Sequence, residues 1–347
     1  VTQISRRGII AGALATPFIA SRARAAGQLV IRTPGGVYDD IMRRAVYEPF
    51  TKATGITVVP IGSPMSKLIA MYKAGDGEYD VIDTGDSGLL NLERLGALAP
   101  IDYGAWKYGK PDEIIAELRL PTRCASYLYA TVSVYNTQSF GAKHPTSWAE
   151  FWDTAAFPGP RTLPDMASGQ PPLELALLAD GVAPDALYPL DLDRAFKSLT
   201  RIRGSVPKFW DTGALSAQMM SDKEALLGAM WNGRVQTLID KGVPLAIEWN
   251  QNMIQVQAYG VPKTSRNPAG AQLFIDFAAQ APVQAAYAKD LRYGPANTKA
   301  YDLLPKDLLD IMPGGPRYRA MGFYQKIDWW EDNRDRINKM WSNWVLG

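Results

Sequence analysis

The sequence is 347 residues long and almost without the side chains that build metal centres or covalent nucleophiles: it has one cysteine, Cys124, and one histidine, His144. No internal disulfide can form from a single cysteine. One Cys and one His cannot assemble a Cys/His zinc site, an iron–sulfur cluster or a two-histidine centre. A Ser-His-acid hydrolase would have to use His144, which stands in the turn-like Lys143-His144-Pro145. No G-x-G-x-x-G or P-loop marks a nucleotide site. No run of Lys and Arg suggests a nucleic-acid or polybasic membrane surface. The N-terminal apolar stretch, Ile9 to Ala20, is broken by Pro17 and is short of the ~20 residues that span a bilayer. These gaps count against metal, covalent and nucleotide chemistry. No cofactor is expected, and the chain reads as a binder rather than an enzyme.

What is present starts with an address. Ser5-Arg6-Arg7-Gly8-Ile9-Ile10 is a twin-arginine pattern, the apolar stretch follows it, and Ala23-Arg24-Ala25 offers small residues to a signal peptidase. Residues 1–25 are therefore expected to be a Tat signal peptide that delivers a folded chain to the periplasm. Without the leader the basic residues fall from 37 to 33 against 35 acids, a net charge of −2. The remaining length suggests about two domains.

From Gln28 the pattern reads strand, helix, strand. Leu29-Val30-Ile31 is closed by Pro34-Gly35-Gly36, and Tyr38, Ile41, Met42, Ala45, Val46 and Phe50 recur at helical spacing. Ile56 to Ile61 gives a second strand, Met65 to Lys73 a helix, and Tyr79-Asp80-Val81-Ile82 a third strand. This alternation predicts βαβ units and a parallel sheet. Ligands bind such sheets at the carboxyl ends of strands, so residues 33–39 and 83–87 are the loops of interest. Farther on, Val256, Tyr259 and Val261 suggest a strand, and Asn267-Pro268 opens a helix. The C-terminal aromatics Tyr324, Trp329, Trp330, Trp341 and Trp344 are expected to pack a surface rather than touch ligand.

Several phrases in order carry a family likeness: Tyr79-Asp80-Val81, Leu98-Ala99-Pro100-Ile101-Asp102, Pro145-Thr146-Ser147-Trp148 and Phe157-Pro158-Gly159-Pro160-Arg161. Met230-Trp231-Asn232-Gly233-Arg234, Val261-Pro262-Lys263 and Tyr293-Gly294-Pro295-Ala296-Asn297 continue it. Across nearly all of the chain after the leader, the sequence resembles the polyamine-binding branch of the periplasmic solute-binding proteins. That resemblance implies the α/β, two-lobed periplasmic binding protein fold (type II), each lobe a mixed sheet flanked by helices. It implies crossings near Thr131 and Gln255, with 26–130 and 256–300 in lobe 1 and 131–255 and 301–347 in lobe 2. It also implies hinge closure on a ligand, and as partners a small amine or ω-amino acid and the permease subunits of an ABC importer. The receptor itself is expected to be a monomer.

The same likeness supplies candidate ligand contacts. Tyr38 falls where the family places an aromatic, and Asp86 and Ser87 near its polar contacts. Asp165 approximates an amine-binding acid of the second lobe, and Trp231 matches a tryptophan that packs on polyamine. Trp210 is a second candidate aromatic wall. The polyamine-specific tryptophan and acid fall on Gln255 and Gln257, and a further acid falls in the uncharged Gly169-Gln170-Pro171-Pro172. A cleft poorer in acids and richer in amides suits a ligand with an amine at one end and a polar or carboxylate end, such as γ-aminobutyrate, or a short diamine such as putrescine. Arg203 could clamp a carboxylate. Two other readings stand beside this one. The first is a Tat-exported enzyme. The second is an anion or iron receptor using Tyr127, Tyr129 and Tyr135, which odd spacing puts on one strand face.

Overall fold

The computed structural model describes residues 27–63, 65–75 and 77–346. The expected signal peptide over 1–25 lies outside them. The strands, in chain order, are β1 (Gln28–Thr33), β2 (Thr57–Gly62), β3 (Val81–Gly85), β4 (Leu98–Ala99), β5 (Cys124–Asn136) and β6 (Arg161–Pro164). They continue as β7 (Lys208–Trp210), β8 (Leu227–Trp231), β9 (Leu245–Pro262), β10 (Gly294–Pro295) and β11 (Phe323–Tyr324).

The opening βαβ pattern is realised. β1 leads into a helical stretch over 37–54, whose middle, Arg43–Tyr47, is wound as a π-helix. Gly55 ends it at φ 75°, giving its N–H to the Thr51 carbonyl at 2.8 Å. This left-handed position is one that glycine adopts without steric cost. β2 and β3 then flank β1 in parallel. Alternation along β1 sends Leu29 and Ile31 to a core with Met42, Phe50 and Phe274, and Val30 to the opposite face with Ile82, Leu89 and Leu98.

Two long strands carry this sheet into a second one. The order is β2-β1-β3-β9-β5-β8-β6-β7, with each neighbouring pair from β3 through β9 and β5 to β8 antiparallel, and β8, β6 and β7 parallel. β5 and β9 pair from Cys124 opposite Tyr259 to Asn136 opposite Leu245. Midway the register breaks: Thr131 faces Met253, but Ser133 faces Glu248. The extra residues 249–252 bulge out and are held there. Gln251 takes φ 58°, its carbonyl accepts from Trp148 Nε1 at 3.0 Å, and Trp249 stacks on Tyr318 with centroids 4.2 Å apart.

Each half has its own core. The second gathers Trp148, Phe151, Leu163, Leu199, Trp330 and Trp341. The C-terminal helix Ile327–Leu346 contributes Trp330, Ile337 and Trp341 to it. Leu304, Leu308 and Met312 pack into the first core with Phe50 and Phe274.

Asp80, in one of the family phrases, joins the start of the first sheet to the exit of β9. Its buried carboxylate accepts from Val30 N at 2.9 Å, Ser265 Oγ at 2.9 Å, and the backbone N–H groups of Arg266 and Asn267 at 3.0 Å each. Removing the acceptor strands several buried donors, each costing about 1–3 kcal/mol. The substitution Asp80→Ala is therefore expected to lower unfolding stability by about 3 kcal/mol or more, measured by urea denaturation.

Candidate functional site

Between the two halves lies a cavity of about 1100 Å³. One wall is the end of β3 and the helix that follows it, Asp86–Arg94; the floor is formed by β5 and β9; the other wall is the 164–172 loop, Trp210, Trp231 and the start of the C-terminal helix. No loop separates β3 from the helix, because Gly85 ends the strand and is also the N-cap. Asp86 thus sits in the helix's first turn, where the helix dipole favours an anion.

Asp86 is buried and meets Arg123 Nη1 at 2.6 Å, while Arg123 Nε reaches Glu93 at 2.8 Å. Burial raises the Asp86 carboxyl above its ordinary value, with Arg123 opposing that rise. Across the mouth the C-terminal helix offers a second pair, Glu331 and Arg334. Ser87 Oγ donates to Glu331 Oε1 at 2.6 Å and accepts from Arg334 Nη2 at 3.1 Å. Burial pushes the Glu331 carboxyl up, but the hydrogen bonds from Arg334 and Ser87 outweigh it and the net shift is downward. Arg94 adds a contact to Asp332 at 2.7 Å. The cavity is thus bordered by both signs of charge.

Its aromatic wall is built edge to face. Trp210 is held by its Nε1 donating to the Ala229 carbonyl at 2.9 Å, and meets Trp231 at 5.1 Å between centroids, 79° apart. Trp231 in turn meets Tyr129 at 6.3 Å and 86°. Gly213 makes room for the Trp231 ring: a Cβ there would come within 3.0 Å of it. On the floor, Thr131 Oγ1 donates to Gln255 Oε1 at 3.0 Å.

Of the residues singled out from sequence, Asp86, Ser87, Trp210, Trp231 and Gln255 border the cavity. Tyr38 and Gln257 do not; both bind Asp83, Tyr38 through its hydroxyl to Oδ2 at 2.5 Å and Gln257 through Nε2 to Oδ1 at 2.8 Å. The pleat of β3 explains this, since Thr84 borders the cavity and its neighbour Asp83 must point to the other face. Asp165 is an N-cap, accepting from Ala167 N at 2.8 Å and from Trp341 Nε1 at 3.3 Å. Arg203 lies outside the cavity lining, over Trp344 at 4.7 Å, and donates to the Val345 carbonyl at 3.0 Å in the last turn of the C-terminal helix. Arg123, Tyr129, Gln325, Trp329, Glu331 and Arg334 also border the cavity and were not singled out from sequence as amine contacts. Tyr129 had a signal in the tyrosine alternation. Trp329 was set aside with the C-terminal aromatics, of which Trp330 and Trp341 do pack in the core. The three alternating tyrosines do not converge on a metal: Tyr129 faces the cavity, Tyr127 stacks on Tyr293, and Tyr135 stacks on His144. Eight residues of strand between Tyr127 and Tyr135 span roughly 26 Å.

Two α/β halves on shared long strands, with a wide mixed-charge cleft between them, define a solute receptor. The chain belongs to the bacterial extracellular solute-binding proteins, whose family model matches residues 45–309. It is 29% identical over 334 residues to a γ-aminobutyric acid-binding protein of Pseudomonas aeruginosa, covering 94% of this chain and 93% of that one. A spermidine/putrescine-binding periplasmic protein of Haemophilus influenzae is 24% identical, over 84% of this chain and 81% of its own. Among solved structures, the Atu4243 γ-aminobutyrate receptor superposes with a TM-score of 0.83 at 33% identity, over 91% of this chain and 97% of that one. The likeness to periplasmic solute-binding proteins read from the ordered phrases is thus borne out, and the family is one of binding proteins rather than enzymes. No helix among the described residues is long and apolar enough to cross a membrane.

Asp83, behind the first wall, gives a pH test. Burial raises its carboxyl from 3.8 to about 6, against the hydrogen bonds from Tyr38 and Gln257. A raised folded value means the folded state holds the proton more tightly. The resulting stability is fully present below pH 3.8 and is lost as pH rises through about 6. It amounts to about 3 kcal/mol. Asp83→Asn is expected to flatten this dependence, so that the difference in melting temperature between wild type and variant changes between pH 4 and pH 7.

Proposed function

We propose that the chain is the exported receptor of an ABC importer and that it binds a small solute carrying both an amine and a carboxylate, γ-aminobutyrate or a near ω-amino acid. The observation that carries this is the lining of the cleft, which holds the pair Asp86–Arg123, the pair Glu331–Arg334 and the aromatic side chains Tyr129, Trp210 and Trp231. Each guanidinium is already balanced by a carboxylate, Arg123 by Asp86 and Glu93 and Arg334 by Glu331, so the lining carries both signs and suits a zwitterion better than a polycation. Tyr129 and Trp231 offer ring faces to the ammonium, a contact worth about 2 kcal/mol once water is excluded. The names of the relatives, which include both γ-aminobutyrate and polyamine binders, agree with an amine-bearing solute. The twin-arginine leader is read as the export signal to the periplasm, where a monomer would deliver its solute to the permease subunits. Closure is assigned to rotation about the register break beside Thr131 and Met253. On this assignment 27–130 and 256–312 form one lobe and the remainder the other.

Isothermal titration of the mature protein with γ-aminobutyrate, putrescine and spermidine tests the reading. Binding of γ-aminobutyrate is expected, with spermidine weak or silent, and Trp231→Ala is expected to weaken binding by tenfold or more. Tight binding of spermidine alone would overturn the zwitterion and return the site to polyamines. Binding of putrescine alone would place the ligand among short diamines.

A further inference from the structure

The second wall of the cleft contains a carboxylate that touches no solvent. Glu174 is 0% exposed, and one of its oxygens, Oε1, accepts from Tyr188 Oη at 2.5 Å, Trp330 Nε1 at 2.5 Å and Gln325 Nε2 at 3.5 Å. Its other oxygen is buried without a partner among the described residues. A charge so enclosed is costly to keep, and replacing it with a packed apolar side chain is often neutral or better for stability. Packing alone therefore gives no reason for a carboxylate here.

Its neighbour supplies one. Gln325 borders the cavity, follows β11, and is tied to β9 by its N–H donating to the Ile254 carbonyl at 3.1 Å, next to Gln255. Its amide nitrogen lies between two acceptors, Gln170 Oε1 and Glu174 Oε1. A glutamine amide in isolation can face either way, because its two ends are nearly the same shape. Glu174 Oε1 already accepts from the Trp330 indole N–H, a group that can only donate, so this oxygen presents an acceptor to the amide and the nitrogen end turns inward. The oxygen end is then left over, and no hydrogen bond among the described residues uses it. We infer that Glu174 is a positioning residue that never touches the solute: it locks Gln325 with its carbonyl oxygen toward the cleft, making the second wall an acceptor for the amine end.

This deepens the amine-and-carboxylate reading and rests on it. Arg123 stands on the opposite wall, so a locked acceptor here sets the direction in which the solute lies, ammonium toward Gln325 and carboxylate toward Arg123. The carboxyl behind the amide orients it toward a cation at that end and is itself buried beyond the reach of a second ammonium. Preference for one amine over two would follow from this arrangement.

A double-mutant cycle tests it, using titration with γ-aminobutyrate and with putrescine. Glu174→Gln lets the amide at 325 face either way, and Gln325→Met removes the amide while keeping its bulk. Each is expected to weaken binding of both probes by tenfold or more, and the double variant to be no weaker than either single one. Losses that simply add, or a Gln325→Met protein that binds like wild type, would overturn the inference and leave the amine-and-carboxylate reading standing. Should Glu174→Gln fail to fold, the Gln325→Met result alone still decides against the acceptor role if affinity is unchanged. A wild-type protein that binds neither probe removes the inference together with the reading it rests on.

Discussion

The antiparallel pairing of β5 with β9 is the constraint on which the rest of this structure depends. Each strand is long enough to belong to both sheets, so each half is completed by residues that continue into the other. The register break beside Thr131 marks where the ladder changes sheets, and the bulge at 249–252 is held by Trp148 and Tyr318 from the second half. Because the two cores are otherwise separate, the cavity between them is a product of connectivity. Its floor is the pair of strands that both halves share.

On that floor the sequence builds walls of different character. The first wall places charge at a helix start, Asp86 with Arg123, where the dipole and the guanidinium both favour the carboxylate. The second wall combines aromatic rings and amides with the Glu331–Arg334 pair of the C-terminal helix, and keeps one more carboxyl, Glu174, out of reach behind Gln325. A solute thus meets ion pairs on both walls and, on the second, an amide backed by a buried carboxyl.

The fold was largely legible. The alternation from Gln28 to Ile82 became β1, the 37–54 helix, β2 and β3, with β3 displaced to Val81–Gly85, because periodic burial decides element type. The site was legible only where local chemistry pointed at it. Asp86, Ser87, Trp231 and Gln255 stand at strand ends or on the crossing strands, and those places can be found by counting. Tyr38, Gln257, Asp165 and Arg203 have the right chemistry but face elsewhere, through a strand pleat, a cap and a helix end that no motif reveals. Arg123 and the acids of the C-terminal helix were invisible for a different reason. Glu331 lies 244 residues from Ser87, and only the tertiary fold brings the two within hydrogen-bond reach.

The contacts that close the mouth differ in kind from those along the back. Ser87 with Glu331 and Arg334, and Arg94 with Asp332, are polar and partly open to solvent. β5 and β9 are joined by backbone hydrogen bonds between buried residues. Dissolved ions screen the first kind and leave the second intact. Dissolved salt therefore acts first on the mouth, at the exposed pair Arg94–Asp332, and least on the strand ladder at the back.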